Sequence, residues 1–312
     1  MDREVFHQMA EYCADQQYQT RTIAYLSAHL RKFLRRDDRV MLCFLDQRPG
    51  SLSWLFAQAL LELEITPITI EADKRWKYIL RSAFTNRVSA IIGEPLLLLG
   101  LAKLKIQTAT PLFIRRVITT GYPCPEWMRQ GIVTGLDCAV GGCFALQQSG
   151  TVAGFACGHS WGVHIRDEEF GVEILDKEGK TLPPGKVGEI LIYPKVRPDI
   201  RYAIGDNARL VMQPCDCGSR SPRLMDMRTG SNNPMELDSL GQGLQKWNSI
   251  LDCRLKKSVH GLEIEIICFP GEKLPRLPTT AKQVIRPWQP EVDEPFEYRQ
   301  GISLRENFTE SH

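Results

Sequence analysis

The amino-acid sequence predicts an α/β fold: a parallel sheet with flanking helices, then an antiparallel β-rich module and a small α+β tail. Up to about residue 138, apolar strand-like runs alternate with helical stretches of ten or more residues, as in βαβ units. From Ala139 the pattern changes to short alternating strands with glycine-rich turns, and prolines dominate after Pro270. We therefore predict three regions, with bounds at residues 1–138, 139–230 and 231–312.

The first region opens with a predicted helix at residues 4–36, where apolar side chains recur at helical spacing. Residues 39–45 form a nearly continuous apolar run, which is typical of a strand buried on both faces of a parallel sheet. The remaining pattern predicts strands at 66–70, 88–92 and 112–120, and helices at 52–63, 73–84, 94–104 and around 125–129.

The second region contains two runs, 171–176 and 188–193, in which apolar and polar residues alternate with a period near two. That period is typical of antiparallel strands with one face exposed. A boundary is predicted at 222–236, where the periodicity stops. For the tail we predict a helix through Leu240, Leu244 and Trp247, strands at 249–255 and 262–269, and an extended proline-rich arm.

Composition and charge are those of an ordinary soluble globular protein. Among 312 residues, 43% are apolar and 24% charged, and the formal net charge is +2. Nucleic-acid binding is therefore not indicated, and no apolar run is long enough to span a membrane. The charged N-terminus is unlike a secretory signal, and ten cysteines are too dilute for a disulfide scaffold. We accordingly expect a reducing, cytoplasmic location.

Two groups of potential metal ligands bracket the β-rich region. Cys157 is followed by His159 and His164, and Cys215 and Cys217 lie in a Cys-x-Cys-Gly turn. Three thiolates and one imidazole make the tetrahedral set that suits a closed structural Zn²⁺. Either histidine is a candidate for the fourth ligand. The alternative to a metal site is a group of buried cysteines beside a hydrogen-bonded histidine.

A series of short motifs follows one another in a fixed order. They are TGYPCPEWMR at 120–129, FALQQSGTVAGFAC at 144–157, GVHI at 162–165, VEILD at 172–176, LPPG at 182–185, GEI at 188–190, RYAIGD at 201–206, PCDCG at 214–218 and PR at 222–223. In this order they resemble the phenylacetate–CoA ligase branch of the adenylate-forming enzymes. The resemblance covers roughly residues 5–230, and the ordered set is specific although each motif alone is weak.

The resemblance implies roles for several residues. Asp206 falls where the family holds the ribose hydroxyls, and its carboxylate can accept the two hydrogen bonds of a diol. Thr120, Gly121 and Tyr122 fall beside the family's adenine and acyl pockets, and Arg223 falls where it could meet a nucleotide phosphate. Each has an ordinary alternative, namely a turn cap, a strand end turning into a helix, and a surface arginine. The family pattern also favours the histidine of GVHI as the metal ligand.

The departures from the family pattern concern the chemistry of phosphate. The motif acid that helps to hold magnesium and ATP falls on Gln148, and an amide is a poorer ligand for a hard dication. The motif arginine falls on Ala203, and the family's Ser/Thr/Gly-rich phosphate loop has no match in this sequence. Residues 237–312 do not match the family's mobile lid domain.

Two functional hypotheses follow. In the first, the chain is a degenerate, non-catalytic relative with a structural Zn²⁺, whose old pocket binds a small carboxylic acid or nucleotide, and whose face beside the unmatched N-terminal lobe binds a protein partner. In the second, it is a ligase that activates a small or aryl carboxylic acid with ATP and Mg²⁺, and a partner supplies the phosphate loop. We favour the first, because several elements that stabilise charge at phosphate are missing. Cys124 and Cys143 are expected to be buried thiols, since no histidine lies near either in sequence.

Overall fold

The computed structural model describes residues 3–44, 46–70, 74–159, 162–229, 246–258, 261–272 and 282–295. Within these ranges the helices are α1 Arg3–Ala14, α2 Gln16–Phe33, α3 Leu52–Glu62, α4 Trp76–Thr85, α5 Pro95–Thr108 and α6 Glu126–Leu136. The strands are β1 Arg39–Cys43, β2 Thr66–Thr69, β3 Ala90–Gly93, β4 Arg116–Thr119, β5 Ala139–Leu146, β6 Thr151–Phe155, β7 Val163–Ile165, β8 Phe170–Leu175, β9 Val187–Pro194, β10 Tyr202–Val211, β11 Arg223–Thr229, β12 Ile250–Ser258, β13 Gly261–Cys268 and β14 Lys282–Pro287. None of these helices is long and apolar enough to cross a membrane.

Eleven strands form one sheet with the order β2-β1-β3-β4-β5-β6-β7-β11-β10-β9-β8. The pairs from β2 to β5 are parallel, and the pairs from β5 to β8 are antiparallel. The mixed α/β sheet with flanking helices is therefore confirmed. The change of sequence pattern at Ala139 coincides with the start of β5, the strand that has one parallel and one antiparallel neighbour. Division of the chain at residues 138/139 and 230/231 stays a prediction.

The parallel part is covered by helices on both faces. Met41, Ile91 and Val117 pack with α4, α5 and α6, whereas their strand neighbours Val40 and Ile92 pack with α2 and α3. Successive residues of a strand point to opposite faces, so both faces of β1, β3 and β4 are apolar. This explains why these strands appear in the sequence as continuous apolar runs.

The single helix predicted at residues 4–36 is wrong, because two helices occupy this stretch. Asp15 separates them and is the N-cap of α2, where its carboxylate accepts a hydrogen bond of 3.0 Å from the backbone N–H of Tyr18. Aspartate is among the preferred N-cap residues, since its side chain satisfies a backbone donor that the helix leaves unpaired. The predicted strand at 112–120 is also shorter, at Arg116–Thr119.

A three-stranded sheet forms the described part of the tail. The two predicted strands are confirmed as the antiparallel pair β12 and β13, and Leu251 and Ile267 join the core beside α5. The proline-rich arm predicted after residue 270 needs correction, because β14 pairs in parallel with β13. Its only proline, Pro287, is its last residue. Most of the predicted helix through residues 240–247 lies outside the described residues, and Trp247 is in no described helix.

A buried ion network joins the N-terminal helices to the turn between β7 and β8. Glu169 is 7% exposed and accepts hydrogen bonds from Arg21 (2.8 and 2.9 Å), from Tyr12 and from Arg166 (3.1 Å). Arg166 is 2% exposed and also donates to the Thr22 hydroxyl at 2.9 Å. The network therefore ties α1 and α2 to the antiparallel half of the sheet.

Candidate functional site

A pocket opens where the parallel strands give way to antiparallel ones. It encloses about 640 Å³, including the part open to solvent, and its wall comes from the loop after β4 and from strands β5, β7, β10 and β11. Apolar side chains cover much of this wall, among them Phe144, Leu146, Val163, Leu224 and Met227. Pockets with an apolar lining and a few convergent polar groups are the usual form of small-molecule sites.

The loop after β4 supplies two of the predicted residues. Gly121 and Tyr122 line the pocket, and Tyr122 is 46% exposed. Gly121 has a φ of +88°, which glycine adopts without strain, so the chain can turn sharply at the pocket wall. Thr120 is buried and donates its backbone N–H to the Gly93 carbonyl at 3.0 Å, and it is not among the lining residues.

Asp206 also lines the pocket, from the middle of β10. The register of β10 against β9 shifts between Ala203 and Asn207, and Gly205 has a φ of +83°. Irregularities of this kind re-aim a side chain, as β-bulges do next to many functional sites. The motif RYAIGD therefore places its aspartate in the wall through a local break in the strand ladder.

A second carboxylate in the wall belongs to Asp226 on β11, which also forms an ion pair with Arg209 of β10. Sequence reasoning missed this residue, because only the register of β10 against β11 brings it to the pocket. Glu94, which sequence reasoning also missed, is not among the lining residues but lies next to Gly121. If residue 121 carried a Cβ, that atom would lie 4.0 Å from Oε1 of Glu94 and 3.9 Å from Oε1 of Gln147. The available signal was that Glu94 directly follows β3, since ligand groups often follow the carboxyl ends of parallel strands.

The two other residues predicted from the motifs lie elsewhere. Gln148 is exposed in the turn between β5 and β6 and is not among the lining residues. Arg223 is buried on β11, pairs in register with His164 and donates to the Gln213 carbonyl at 3.2 Å. It lies beside the Cys/His group and is likewise not a lining residue.

The four predicted metal ligands come together. One ligand atom each from Cys157, His164, Cys215 and Cys217 lies within 4.8 Å of all the others. The Sγ atoms of Cys157 and Cys215 are 3.7 Å apart, and Nε2 of His164 is 3.4 Å from Sγ of Cys217. Around a tetrahedral zinc ion with Zn–S about 2.3 Å, neighbouring ligand atoms are roughly 3.5–3.8 Å apart. His159 is exposed and is not one of the four.

The local fold explains this convergence. The Cys-x-Cys turn is closed by hydrogen bonds from the Gly218 N–H to the Cys215 carbonyl and from the Cys215 N–H to the Ser219 carbonyl, both 2.9 Å. The Nδ1 atom of His164 lies 3.3 Å from the Ser221 carbonyl, which leaves Nε2 directed at the thiols. A backbone carbonyl on the second ring nitrogen is the common partner of a metal-ligating histidine.

The pocket and the Cys/His group share one strand pair. Leu224 and Val163 are register partners in β11 and β7, and both line the pocket. Their neighbours Arg223 and His164 are also register partners, and His164 belongs to the Cys/His group. The group therefore lies next to the strand pair that forms one wall of the pocket.

The pocket also contains two thiols, those of Cys124 and Cys143. Burial raises the pKa of each to about 12, well above the ordinary value for a cysteine. At neutral pH these thiols stay protonated, and a thiol is a poor nucleophile compared with a thiolate. Cys143 is buried as expected, whereas Cys124 is only partly buried.

No protein-family model matches the sequence, and no curated protein sequence matches it either. Solved structures do match. A 2-hydroxyisobutyryl-CoA ligase in the postadenylation state, in complex with 2-HIB-AMP, is 13% identical with a TM-score of 0.64, over 98% of this chain and 72% of that one. A benzoate CoA ligase from Burkholderia xenovorans is 12% identical with a TM-score of 0.56, over 85% of this chain and 61% of that one. An anthranilate CoA ligase, AuaEII, in complex with anthranoyl-AMP is 12% identical with a TM-score of 0.56, over 87% of this chain and 60% of that one. The chain thus has the fold of the adenylate-forming enzymes, as the order of its motifs predicts.

Proposed function

Given an adenylate-forming fold, we propose that this chain is a binding protein that keeps the ligand pocket of an acid-activating ligase and does not activate an acid. The observation that carries the proposal is the contrast between two motif positions. Asp206 lies in the pocket wall, whereas Gln148, where the family has its magnesium-holding acid, is an exposed amide outside the lining. The pocket thus keeps a residue for ligand binding, Asp206, whereas the acid that the family uses to hold magnesium is replaced by Gln148.

The electrostatics of adenylation support the same proposal. Attack of a carboxylate on the α-phosphorus builds negative charge, which ligases stabilise with cations and magnesium. Here Ala203 replaces the motif arginine, and Arg223 donates to the Gln213 carbonyl outside the pocket. Loss of one such element commonly costs on the order of a hundredfold in rate.

The alternative function is ATP-dependent activation of a small or aryl carboxylic acid, with a partner polypeptide that supplies a phosphate loop. It is favoured by the identity of the structural neighbours, which are CoA ligases for benzoate, anthranilate and 2-hydroxyisobutyrate. This ligase activity also requires a nucleotide in the pocket, so Asp206 would contact the ligand in a binding protein and in a ligase alike.

We further propose that the Cys157–His164–Cys215–Cys217 group holds a structural Zn²⁺. Three thiolates and one imidazole complete a tetrahedron, so no position is left for water or substrate. The bound ion would fix the β7–β11 pair and with it the Val163–Leu224 wall of the pocket. Its contribution is to stability and to the shape of the site, without a role in chemistry.

Adenosine binding tests the proposed function directly, because a ribose diol suits the Asp206 carboxylate and a purine suits the apolar wall. Isothermal titration of metal-loaded protein should give a binding isotherm for wild type. Asp206→Ala should bind at least about tenfold more weakly, since hydrogen bonds to charged groups contribute about 1.5–3 kcal/mol.

Asp199→Ala is the matched control, since Asp199 is exposed in the turn between β9 and β10 and should leave the affinity unchanged. Equal adenosine affinity in wild type and Asp206→Ala would contradict the assignment of this pocket.

A further inference from the structure

The parallel strands β1 to β5 all start at one edge of the large sheet, which we call the amino edge. The helices α2 to α6 end there, because each of them returns the chain to the start of the next parallel strand. The pocket lies towards the opposite edge, since Gly121 and Tyr122 follow the carboxyl end of β4. The amino edge is therefore a surface separate from the candidate site.

Basic residues are concentrated at the amino edge. Its segments, residues 31–39, 61–66, 84–89, 105–116 and 134–139, contain nine lysines and arginines and five acids, which gives a net charge of +4. The whole chain carries only +2, so the remainder of the chain is net negative. Six arginines lie just beyond the ends of α2 and α4 or at the starts of β1 and β4, namely Arg35, Arg36, Arg39, Arg87, Arg115 and Arg116.

Hydrogen bonds and an ion pair hold these segments side by side. The backbone N–H of Arg39 donates to the Ser89 hydroxyl at 3.0 Å, and that of Arg115 donates to the Ser89 carbonyl at 2.7 Å. The guanidinium of Arg36 lies 2.8 Å from the carboxylate of Glu64, which precedes β2. Neighbouring strands are only about 4.8 Å apart, so the arginines of neighbouring segments share one surface.

Acids neutralise part of this charge. Arg36 pairs with Glu64, and Arg115 pairs with Asp38 at 2.7 Å and with Asp37 at 3.8 Å. Within the described part of the chain, the other four arginines have no carboxylate at ion-pair distance, and three of them are exposed: Arg35, Arg39 and Arg87.

The dipoles of the helices account for some of the basic residues. Arg31 and Lys32 lie in the last turn of α2, where positive charge is favoured. This effect falls off within the last turn, so it does not account for the arginines that lie beyond the helix ends. An anionic partner would complement the charge that remains.

Three large apolar side chains project from the same edge. Phe84 is exposed at the end of α4, Ile106 is exposed at the end of α5, and Phe113, which is 82% exposed, lies three residues before β4. The helices α4 and α5 pack against each other, so the first two side chains lie on neighbouring elements. Exposed apolar groups close to charged ones are typical of interaction surfaces.

We propose that the amino edge docks on an anionic lipid surface. Apolar side chains enter the boundary between headgroups and acyl chains, and basic residues next to them attract anionic headgroups. A bilayer fits better than an acidic polypeptide, because the three apolar side chains end separate segments and a bilayer accepts each of them without a matching shape. Docking at this edge leaves the pocket open to solvent.

Co-sedimentation of the full chain with vesicles tests the proposal. Vesicles of phosphatidylcholine with about one-third phosphatidylserine should bind the protein at least about tenfold more tightly than pure phosphatidylcholine vesicles, since each basic residue near an anionic membrane contributes about fivefold. Added salt should reduce this ratio, because it screens the attraction. Equal binding to the two kinds of vesicle would overturn the proposal.

The variant Arg35→Gln/Arg87→Gln should bind the phosphatidylserine vesicles at least about tenfold more weakly than wild type. Its matched control is Lys177→Gln/Lys186→Gln, which removes the same charge from exposed positions between β8 and β9 and should bind like wild type. Both variants should keep the thermal midpoint of wild type, because the replaced side chains are exposed. Equal losses of affinity in the two variants would reduce the effect to net charge and overturn the proposal.

Phe113→Ser should weaken vesicle binding at least about fivefold, also at high salt, since burial of an apolar side chain does not depend on charge. Val196→Ser is the matched control, because Val196 is an exposed apolar residue in the turn after β9. Equal vesicle binding by these two variants would contradict the proposal. Binding to polyglutamate without binding to either kind of vesicle would also overturn it and would assign the amino edge to an acidic polypeptide.

Discussion

Cys217→Ser is expected to abolish stoichiometric metal binding and to lower the midpoint of thermal unfolding by roughly 10 °C. Metal that binds only the folded state at about 1,000 times its dissociation constant stabilises a protein by about 4 kcal/mol, and this term would be lost. For a large domain, each kcal/mol corresponds to about 2–4 °C. His164 is one of the four ligands and lies on β7, where it is the register partner of Arg223 on β11. Loss of the metal is therefore expected to weaken the β7–β11 pair as well.

Metal content by mass spectrometry under native conditions, together with a thermal melt, tests this prediction. Wild type should carry one zinc ion per chain, and its cobalt-substituted form should show the absorption of a tetrahedral thiolate site. Cys138→Ser is the matched control, since Cys138 is a buried thiol outside the Cys/His group. Wild-type protein without bound metal, or Cys217→Ser that retains a full equivalent, would refute the zinc proposal.

Glu169→Gln is expected to destabilise the fold by about 3–5 kcal/mol at pH 7, because it leaves a buried arginine charge without its carboxylate. Arg166 is 2% exposed, and its NH2 group lies 3.1 Å from Glu169. Glu168→Gln is the matched control. Glu168 is 63% exposed and lies 3.6 Å from Nε of the same arginine, so its loss should cost about 0–1 kcal/mol.

The cost of Glu169→Gln should also depend on pH. Burial by itself raises the pKa of Glu169, but hydrogen bonds from Arg21 and Tyr12 and the nearby guanidinium charges outweigh it, so the pKa lies below its ordinary value of 4.5. A carboxyl group with a lowered folded-state pKa stabilises the protein above its unfolded-state pKa, and this stabilisation is lost as the pH falls through the folded-state value. The difference between wild type and Glu169→Gln in urea unfolding should therefore be full at pH 7 and shrink below pH 4.5. Equal stability of Glu169→Gln and Glu168→Gln at pH 7 would contradict the proposed role of the network.

The parallel half of the fold was predictable because its strands are buried on both faces and therefore show as continuous apolar runs. The break at Asp15 was missed, since helical spacing continues across it and only the cap geometry marks the boundary. Strand β14 was missed because its residues are mostly exposed, and because about 19 residues separate each of them from its partner in β13. Long-range pairing of this kind leaves little trace in local periodicity.

The candidate site was predictable only in part. Gly121, Tyr122 and Asp206 belong to motifs whose order is visible in the sequence, and all three line the pocket. Asp226 reaches the pocket through the register of β10 against β11, so no local pattern indicated it.

The central claim is that the pocket binds a ligand without activating an acid, and ATP–pyrophosphate exchange tests it most directly. The assay would use metal-loaded wild-type protein with magnesium and a panel of small and aryl carboxylic acids, including benzoate, anthranilate and 2-hydroxyisobutyrate. We predict no acid-dependent exchange above the level of Asp206→Ala. Acid-dependent exchange in wild type that disappears in Asp206→Ala would contradict the claim and establish the chain as an acid-activating ligase.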